Sequence, residues 1–323
     1  MLEPIFEALA PIGLSESNFQ FMCIAAILGV SIYITLYGGM FSLANAGFMA
    51  IGAYVSVVLT QQEGWDFFPA VVAGALAAGL IAIPLGLLVL HLNDIYLAIA
   101  TIGFGEIARV SIRNFDRVVF ELTDERVRIT NGAQGISRIP VLTETEHLII
   151  VILLLAFFLY RMHDSRFGRA LAAMRRDRIV AASMGINVVY YRNLAFIIGA
   201  LIAGLAGALS GHLTRVITPE TYDFSQAVDI LAYAVFGGTY TLIGPIVGGM
   251  TLEYIPEVLR RLDVFQAMTD ATGVNFIDNE AQIIGFLNGL VLVLVIIYLP
   301  GGITDPQLWR NLRARLVRWV GRG

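Results

Sequence analysis

Residues 19–37 read FQFMCIAAILGVSIYITLY, an uncharged apolar run that ends at Gly38-Gly39. A bilayer hydrocarbon core about 30 Å thick takes around 20 such residues as one α-helix. A strand of a lipid-facing barrel would alternate apolar and polar positions; this run does not. Because lipid leaves no water to pair exposed backbone groups, a continuous apolar run must be helical. Runs of the same kind occur at 42–60, 69–90, 95–112, 147–161, 193–211 and 282–300. The stretch 227–258 is too short for two full spans and is interrupted in its middle by Gly and Pro, so it reads as a hairpin of short or re-entrant helices. The fold predicted is all-α, a polytopic transmembrane helix bundle with broken or re-entrant helices and about eight to ten membrane segments.

Composition agrees. Of 323 residues, 57% are hydrophobic and 14% charged, with mean hydropathy +0.76. A soluble domain carries about 25% charged residues. All 21 basic residues are arginine. Without lysine there is no phosphate-binding loop of the Walker type, so any ATP that drives this protein is hydrolysed on another chain. Cys23 is the single cysteine and lies in an apolar run, which excludes a disulfide framework or thiolate cluster. His91, His147, His163 and His212 are scattered without ligand spacing, so no metal is expected. No nucleophile elbow or zinc-protease motif is present, and the arginines follow topology without forming a nucleic-acid surface. Neither catalysis nor nucleic-acid binding is expected. Glu3, Glu7 and Glu16 precede the first span without an arginine, which reads against a cleavable leader.

Arginine placement sets the orientation. The segment 161–192 carries Arg161, Arg166, Arg169, Arg175, Arg176, Arg178 and Arg192 against Asp164 and Asp177. The segment after Pro300 carries Arg310, Arg313, Arg315, Arg318 and Arg322. Both are expected in the cytoplasm by the positive-inside rule. The organisation expected is a transmembrane domain over 1–304, with a cytoplasmic loop 161–192, an outer loop 112–146 and an arginine-rich cytoplasmic tail 305–323. The N-terminus, 212–226 and the acidic stretch 262–281 then fall outside. Arg260 and Arg261, at the outer end of the hairpin, run against this pattern. Trp65, Trp309 and Trp319 fall at interfaces.

An internal echo marks a path. Residues 38–43 read Gly-Gly-Met-Phe-Ser-Leu and 237–242 read Gly-Gly-Thr-Tyr-Thr-Leu, each followed by small or helix-breaking residues. Interrupted apolar segments at matching places in two halves point to a transport site near the midplane. Gly47, Gly237, Gly238, Gly244 and Pro245 are the backbone candidates, with Ser42, Asn45 and Thr241 as side chains able to hydrogen-bond a zwitterion. Small residues also serve plain helix packing. Glu106 and Arg109 are spaced to pair on one helix face; Asp229 and Glu253 sit near hairpin ends facing water, and Asp94 reads as a helix cap in a tight turn.

The loop 161–192 predicts one helix over 168–184, with Ala170, Leu171, Met174 and Ala181 on an apolar face and Gly185 as a left-handed C-cap. That face could lie on anionic lipid or in a partner's groove.

Four stretches resemble the permease subunits of bacterial branched-chain amino-acid ABC transporters, in particular the M-type partner. They are SLANAGFMAIGAY (42–54), IYLAIATIGFGE (95–106) followed by TNGAQGI (130–136), the loop 167–196, and DILAYAVFGGTYTLIGPIVGG (229–249). The resemblance implies alternating access, driven by ATP and Mg on two ATP-binding subunits and with no cofactor bound by this chain. It implies a homologous permease as heterodimer partner, a periplasmic amino-acid-binding protein docking on loop 112–146, and a bacterial inner-membrane location with the C-terminus cytoplasmic. It makes the loop helix a coupling helix, carried by Gly168, Arg169, Met174, Arg175, Ala181, Met184 and Gly185. Charged groups in loop 112–146, among them Glu121, Asp124, Glu125, Arg126 and Arg128, are the expected docking groups. The chain departs from the pattern at Glu106, where relatives often carry Gln, at Asp229, where many carry Glu, and at Ala44-Asn45, where Gly-His is common. A urea or short-amide importer shares these motifs. An ion-coupled secondary transporter using Glu106 is the more distant alternative.

Overall fold

The computed structural model describes residues 15–92, 94–124, 128–239 and 241–261, scattered positions from 283 to 297, and 301–304. The acidic stretch 262–281, the tail 305–323 with Trp309 and Trp319, and residues Glu3, Glu7, Glu125 and Arg126 lie outside the described residues. The expected span 282–300 is described only at scattered positions.

Among the described residues are ten α-helices, two short 3-10 helices (Gly132–Gln134 and Pro219–Tyr222) and one small sheet: α1 (Glu16–Tyr37), α2 (Asn45–Gln61), α3 (Phe67–Val89), α4 (Asp94–Thr123), α5 (Thr145–His163), α6 (Arg166–Arg176), α7 (Arg178–Ser183), α8 (Val188–Gly211), α9 (Phe224–Gly237) and α10 (Gly244–Arg261), with β1 (Ile136–Ser137) antiparallel to β2 (Val216–Ile217). Five of them, α1, α3, α4, α5 and α8, are long and apolar enough to cross a membrane; α2 and α9 are shorter apolar helices. The bundle is therefore all-α and polytopic.

Polar residues start the helices, as orphan N–H groups require. Ser15 Oγ accepts from Asn18 N at 3.2 Å, Asn187 Oδ1 from Tyr190 N at 3.0 Å, and Asp223 Oδ1 from Gln226 N at 3.1 Å. In the apolar windows of α1 and α8, 72% and 67% of residues are buried, against 22% for α5, so α1 and α8 are the central helices. Glycine lets them approach their neighbours. A Cβ on Gly52 of α2 would fall on the Gly204 carbonyl of α8, and one on Gly207 of α8 on the Met49 carbonyl of α2. Gly74 of α3 closes the same junction, its Cβ position 2.5 Å from the Gly52 oxygen. Close backbone approach replaces the hydrophobic drive that lipid does not supply.

The connections sort to two ends. At one end, Gln62 Nε2 donates to Ile129 O at 3.0 Å, Thr145 Oγ1 donates to Glu16 Oε1 at 2.7 Å, and β1 pairs with β2. At the other, Tyr37 Oη meets His163 Nδ1 at 3.2 Å, and Leu171 packs over Gly38. The arginine-rich loop and the outer-loop segments thus lie at opposite ends. At the outer-loop end of the hairpin, Arg260 pairs with Glu257 at 3.4 Å, which reduces the charge that runs against the arginine pattern.

Two sequence boundaries need correction. Helix α4 does not stop near residue 112 but continues to Thr123, because its charged last three turns leave the apolar layer without leaving the helix. Asp116 Oδ1 anchors the outer loop to this extension, accepting from Ile129 N at 2.9 Å and Thr130 N at 2.8 Å. The cytoplasmic-loop helix is not continuous. Asp177 has extended backbone and its Oδ1 accepts from Ile179 N and Val180 N, so it ends α6 and starts α7.

Candidate functional site: two breaks and the loop that meets them

The first break runs from Gly38 to Ala44. Gly39 has φ +71, a left-handed turn that favours glycine. The chain then runs back into the bundle without helical structure until Asn45. Asn45 Nδ2 donates to Ser31 Oγ at 2.7 Å. Ser31 lies six residues before Tyr37, so α2 begins about 9 Å inside the end of α1. Non-helical backbone at this depth needs partners. Leu43 N–H finds one in Thr101 Oγ1 of α4 at 2.9 Å, while the Thr101 hydroxyl faces Leu97 O at 2.9 Å. Thr101 is fully buried, and the sequence reading did not single it out.

The second break follows α9. Gly238 has φ +110, and the segment 301–304 ties the helix end: Ile303 N donates to Phe236 O at 3.0 Å and Thr304 N to Gly237 O at 3.2 Å. The Thr241 and Thr304 hydroxyls are in hydrogen-bond contact. Helix α10 restarts at Gly244. The Pro245 carbonyl lies 2.5 Å from where a Gly29 Cβ would be, and the Ala25 carbonyl 2.5 Å from a Gly249 Cβ, so α10 runs antiparallel to α1. Both breaks thus begin a new helix at nearly the same level of α1, Ser31 for one and Gly29 for the other.

The candidate path residues fall at these breaks, with a difference from expectation. Ser42 and Asn45 are buried. Ser42 Oγ accepts from Ala44 N at 3.4 Å, and Asn45 is bonded to Ser31. Buried polar groups require such partners, so these side chains help to hold the break. Gly47 packs α2 on α4, its Cβ position 3.0 Å from Gly105 Cα. Gly237, Gly244 and Gly248 bring α9 and α10 into backbone contact.

The loop residues divide between two faces. Ala170, Leu171, Met174 and Ala181 are buried against this chain's own helices. The apolar face read as a partner's or lipid's docking face is turned inward, and the exposed apolar residues are Ile179, Val180 and Met184. Val180 and Met184 border a cleft of about 440 Å3 that includes Ala173 and Ile186, while Ile179 lines a separate cleft with Gly39 and Arg178. Ser165 Oγ caps α6 through Gly168 N at 3.1 Å, and a Cβ on Gly168 would fall on the Met162 carbonyl. Arg169 donates to the Asp164 carbonyl. Gly185 has φ +83, with Ile186 N donating to Ala181 O at 3.1 Å, the left-handed cap the sequence indicates. On the inner face, Arg175 donates to Thr239 O at 3.0 Å and to Thr239 Oγ1 at 2.9 Å. Arg178 donates to Gly39 O at 2.9 Å.

Among the ionisable groups, Glu106 and Arg109 pair at 2.8 Å, and Arg109 also lies 3.9 Å from Glu220. Glu253 does not simply face water: its Oε2 accepts from Tyr233 Oη at 2.8 Å. At the outer-loop end, buried His212 has Nδ1 2.9 Å from Ala208 O and Nε2 3.0 Å from Thr60 Oγ1. Its ring and that of His147 flank Phe67. Burial holds the His212 imidazole below its ordinary pKa of 6.5, opposed by the smaller effect of its hydrogen bond to Ala208. The unfolded chain therefore binds this proton first as pH falls. The stability that neutral His212 contributes is complete above pH about 6.5 and is lost as pH drops below it. The thermal midpoint of purified protein is expected to fall below that pH, and to fall less in His212→Gln; equal pH dependence in both would rule out His212.

Over residues 16–297 the chain matches the family described as branched-chain amino acid transport system / permease component. It is 29% identical to the high-affinity branched-chain amino acid transport system permease protein LivM of Salmonella typhimurium, over 87% of this chain and 68% of that protein. The LivM protein of Escherichia coli K12 matches with the same identity and coverage. Among solved structures, PsaBC from Streptococcus pneumoniae in complex with Fab is similar at 16% identity, over 97% of this chain and 100% of that one, with a TM-score of 0.44. The family match takes in every helix described above, and the chain therefore belongs to the permease components of branched-chain amino acid transport systems, membrane transport subunits and not enzymes.

Proposed function

We propose that this chain is the M-type half of the translocation path of an ABC importer for branched-chain or related amino acids, working by alternating access. The observation that carries the reading is the pair of breaks, which start α2 and α10 at one level of α1 inside the bundle. Unwound backbone at that depth is tolerated where it is buried in protein or lines a cavity, and its occurrence in both halves suits a substrate site between them. A homologous permease supplies the other half as a heterodimer. Two ATP-binding subunits, carrying ATP and Mg, dock at the arginine-rich end, which the positive-inside rule assigns to the cytoplasm. Exposed Ile179, Val180 and Met184 supply an apolar contact for them. A periplasmic binding protein delivers substrate to the opposite end, and the tail 305–323 lies with the ATP-binding subunits in the cytoplasm.

The test is uptake by the complete transporter in proteoliposomes, with its binding protein and a panel of leucine, isoleucine, valine, urea and short amides. ATP-dependent accumulation of the amino acids is the expected result. Accumulation of urea or amides alone, or uptake that persists without the ATP-binding subunits and collapses with an uncoupler, overturns it.

Gly185 offers a milder probe. No atom comes within 4 Å of its Cβ position, so the cost of a side chain there is the left-handed backbone itself, roughly 1–2 kcal/mol. Gly185→Val is expected to leave assembly intact and to lower the amount imported per ATP hydrolysed. Wild-type import per ATP in that variant would remove Gly185 from the coupling set.

A further inference from the structure

The two breaks are 200 residues apart in sequence, yet both rest on the same short piece of the cytoplasmic loop. Arg175, in the last turn of α6, gives two donors to one residue of the second break, the carbonyl and hydroxyl of Thr239. Arg178, at the start of α7, gives a donor to the Gly39 carbonyl of the first break. The first break also packs on α6 directly: a Cβ on Gly39 would lie 3.0 Å from Arg175 Cα, and one on Gly38 would lie 3.2 Å from Leu171 Cδ2. Between the two arginines stands Asp177, where the helix is interrupted. Beside them is an open cleft of about 530 Å3, lined by Leu36, Gly39, Met40, Met174, Arg175 and Arg178.

We propose that Arg175 and Arg178 are positioning residues that form a double latch, holding both breaks to one movable segment so that a single displacement of α6–α7 shifts them together. A guanidinium suits this role. Its fixed fork reaches a carbonyl and a hydroxyl at once, and its charge strengthens each bond. Neither break has slack against the segment: one is in backbone van der Waals contact with it and the other is held by two bonds. The face of the segment that borders the second cleft, which no break residue lines, carries exposed Val180 and Met184. A partner that pulls on that face therefore pulls on both breaks. This rests on the importer reading for its energy source, but the latch geometry can be measured separately.

The distance test uses the assembled transporter with spin labels at Phe41→Cys and Ile243→Cys, one exposed site in each break. Native Cys23 is buried and does not compete for label. Arg175→Met is expected to lengthen or broaden the Phe41–Ile243 distance distribution, and Arg175→Lys to restore part of it. In proteoliposomes, Arg175→Met is expected to lower import per ATP hydrolysed by roughly ten-fold while ATP hydrolysis persists, because the latch transmits movement and the ATP sites are elsewhere. Thr239→Val should shift the same readouts less, and should add little to Arg175→Met because its partner is already gone. If Arg175→Met does not assemble, Thr239→Val carries the distance test, since it removes a bond from the break and nothing from α6. An unchanged distance in the assembled variant, or import and hydrolysis falling in proportion, overturns the latch. A wild-type transporter that imports no amino acid overturns the importer reading instead, and the label distances still decide the latch.

Discussion

Gly52→Leu is expected to abolish the folded permease, and Gly52→Ala to cost about 1–3 kcal/mol. The reason is the junction of α2, α3 and α8. A Cβ on Gly52 falls on the Gly204 carbonyl, while the Gly52 carbonyl itself lies 2.5 Å from the Cβ position of Gly74. Backbone atoms cannot rotate away as a side chain can, so α2 must move off α8 and disturb its close approach to α3. Separating close-packed helices even by 0.5–1 Å forfeits roughly a quarter to a half of each dispersion contact along them. In lipid no hydrophobic force between helices offsets that loss. Unfolding midpoints and size-exclusion profiles in detergent measure the effect. Gly103→Ala is the matched control: it lies on α4, and nothing comes within 4 Å of its Cβ position. Its midpoint should be unchanged or raised by the better helix propensity of alanine. Equal behaviour of Gly52→Ala and Gly103→Ala would contradict the close-approach account.

Thr101→Val is expected to leave the bundle assembled and to disable the first break. The substitution keeps the shape of the side chain and removes the oxygen that accepts from Leu43 N–H. An unsatisfied buried donor costs about 1–3 kcal/mol, and at this depth no bulk water replaces the partner. About 2 kcal/mol changes the population of the ordered break roughly thirty-fold. Hydrogen exchange at Leu43 should quicken in Thr101→Val, with import falling by at least ten-fold. Thr101→Ser keeps the oxygen and should behave as wild type. Exchange at Leu43 that stays slow in Thr101→Val would show that another group holds the break.

These two positions also show where sequence reading succeeds and where it stops. Five of the expected spans were legible because uncharged runs of bilayer length leave few other structures, and both breaks were legible because Gly-Gly interrupts such a run twice in similar sequence. The extension of α4 was not. Arg113, Asp116, Arg117 and Glu121 end the apolar run, but beyond the hydrocarbon layer charge is no obstacle to a helix. Asp177 carried a usable signal, since Asp prefers the N-cap, but the surrounding arginines and alanines favour helix and hid it. The inward turn of Leu171 and Met174 was illegible because an amphipathic helix does not say whether its apolar stripe meets its own chain, a partner or lipid. Thr101 is the hardest case. A threonine in an apolar helix ordinarily bonds its own preceding turn, as this one also does, and its second bond reaches a residue 58 positions away.

That separation bears on how the protein is made. Synthesis runs from the N-terminus, so α1 and the first break enter the membrane before the residue that satisfies Leu43 exists. The first break stays unfinished until α4 arrives, and the second until residues 303 and 304 deliver their N–H groups to Phe236 and Gly237. In the interval each carries unpaired backbone that lipid penalises. Biogenesis of this permease therefore has two scheduled waits, one ended by a threonine and the other by the chain just beyond the last expected span. A polypeptide halted before residue 303 would keep its first break and lack the ties that close its second.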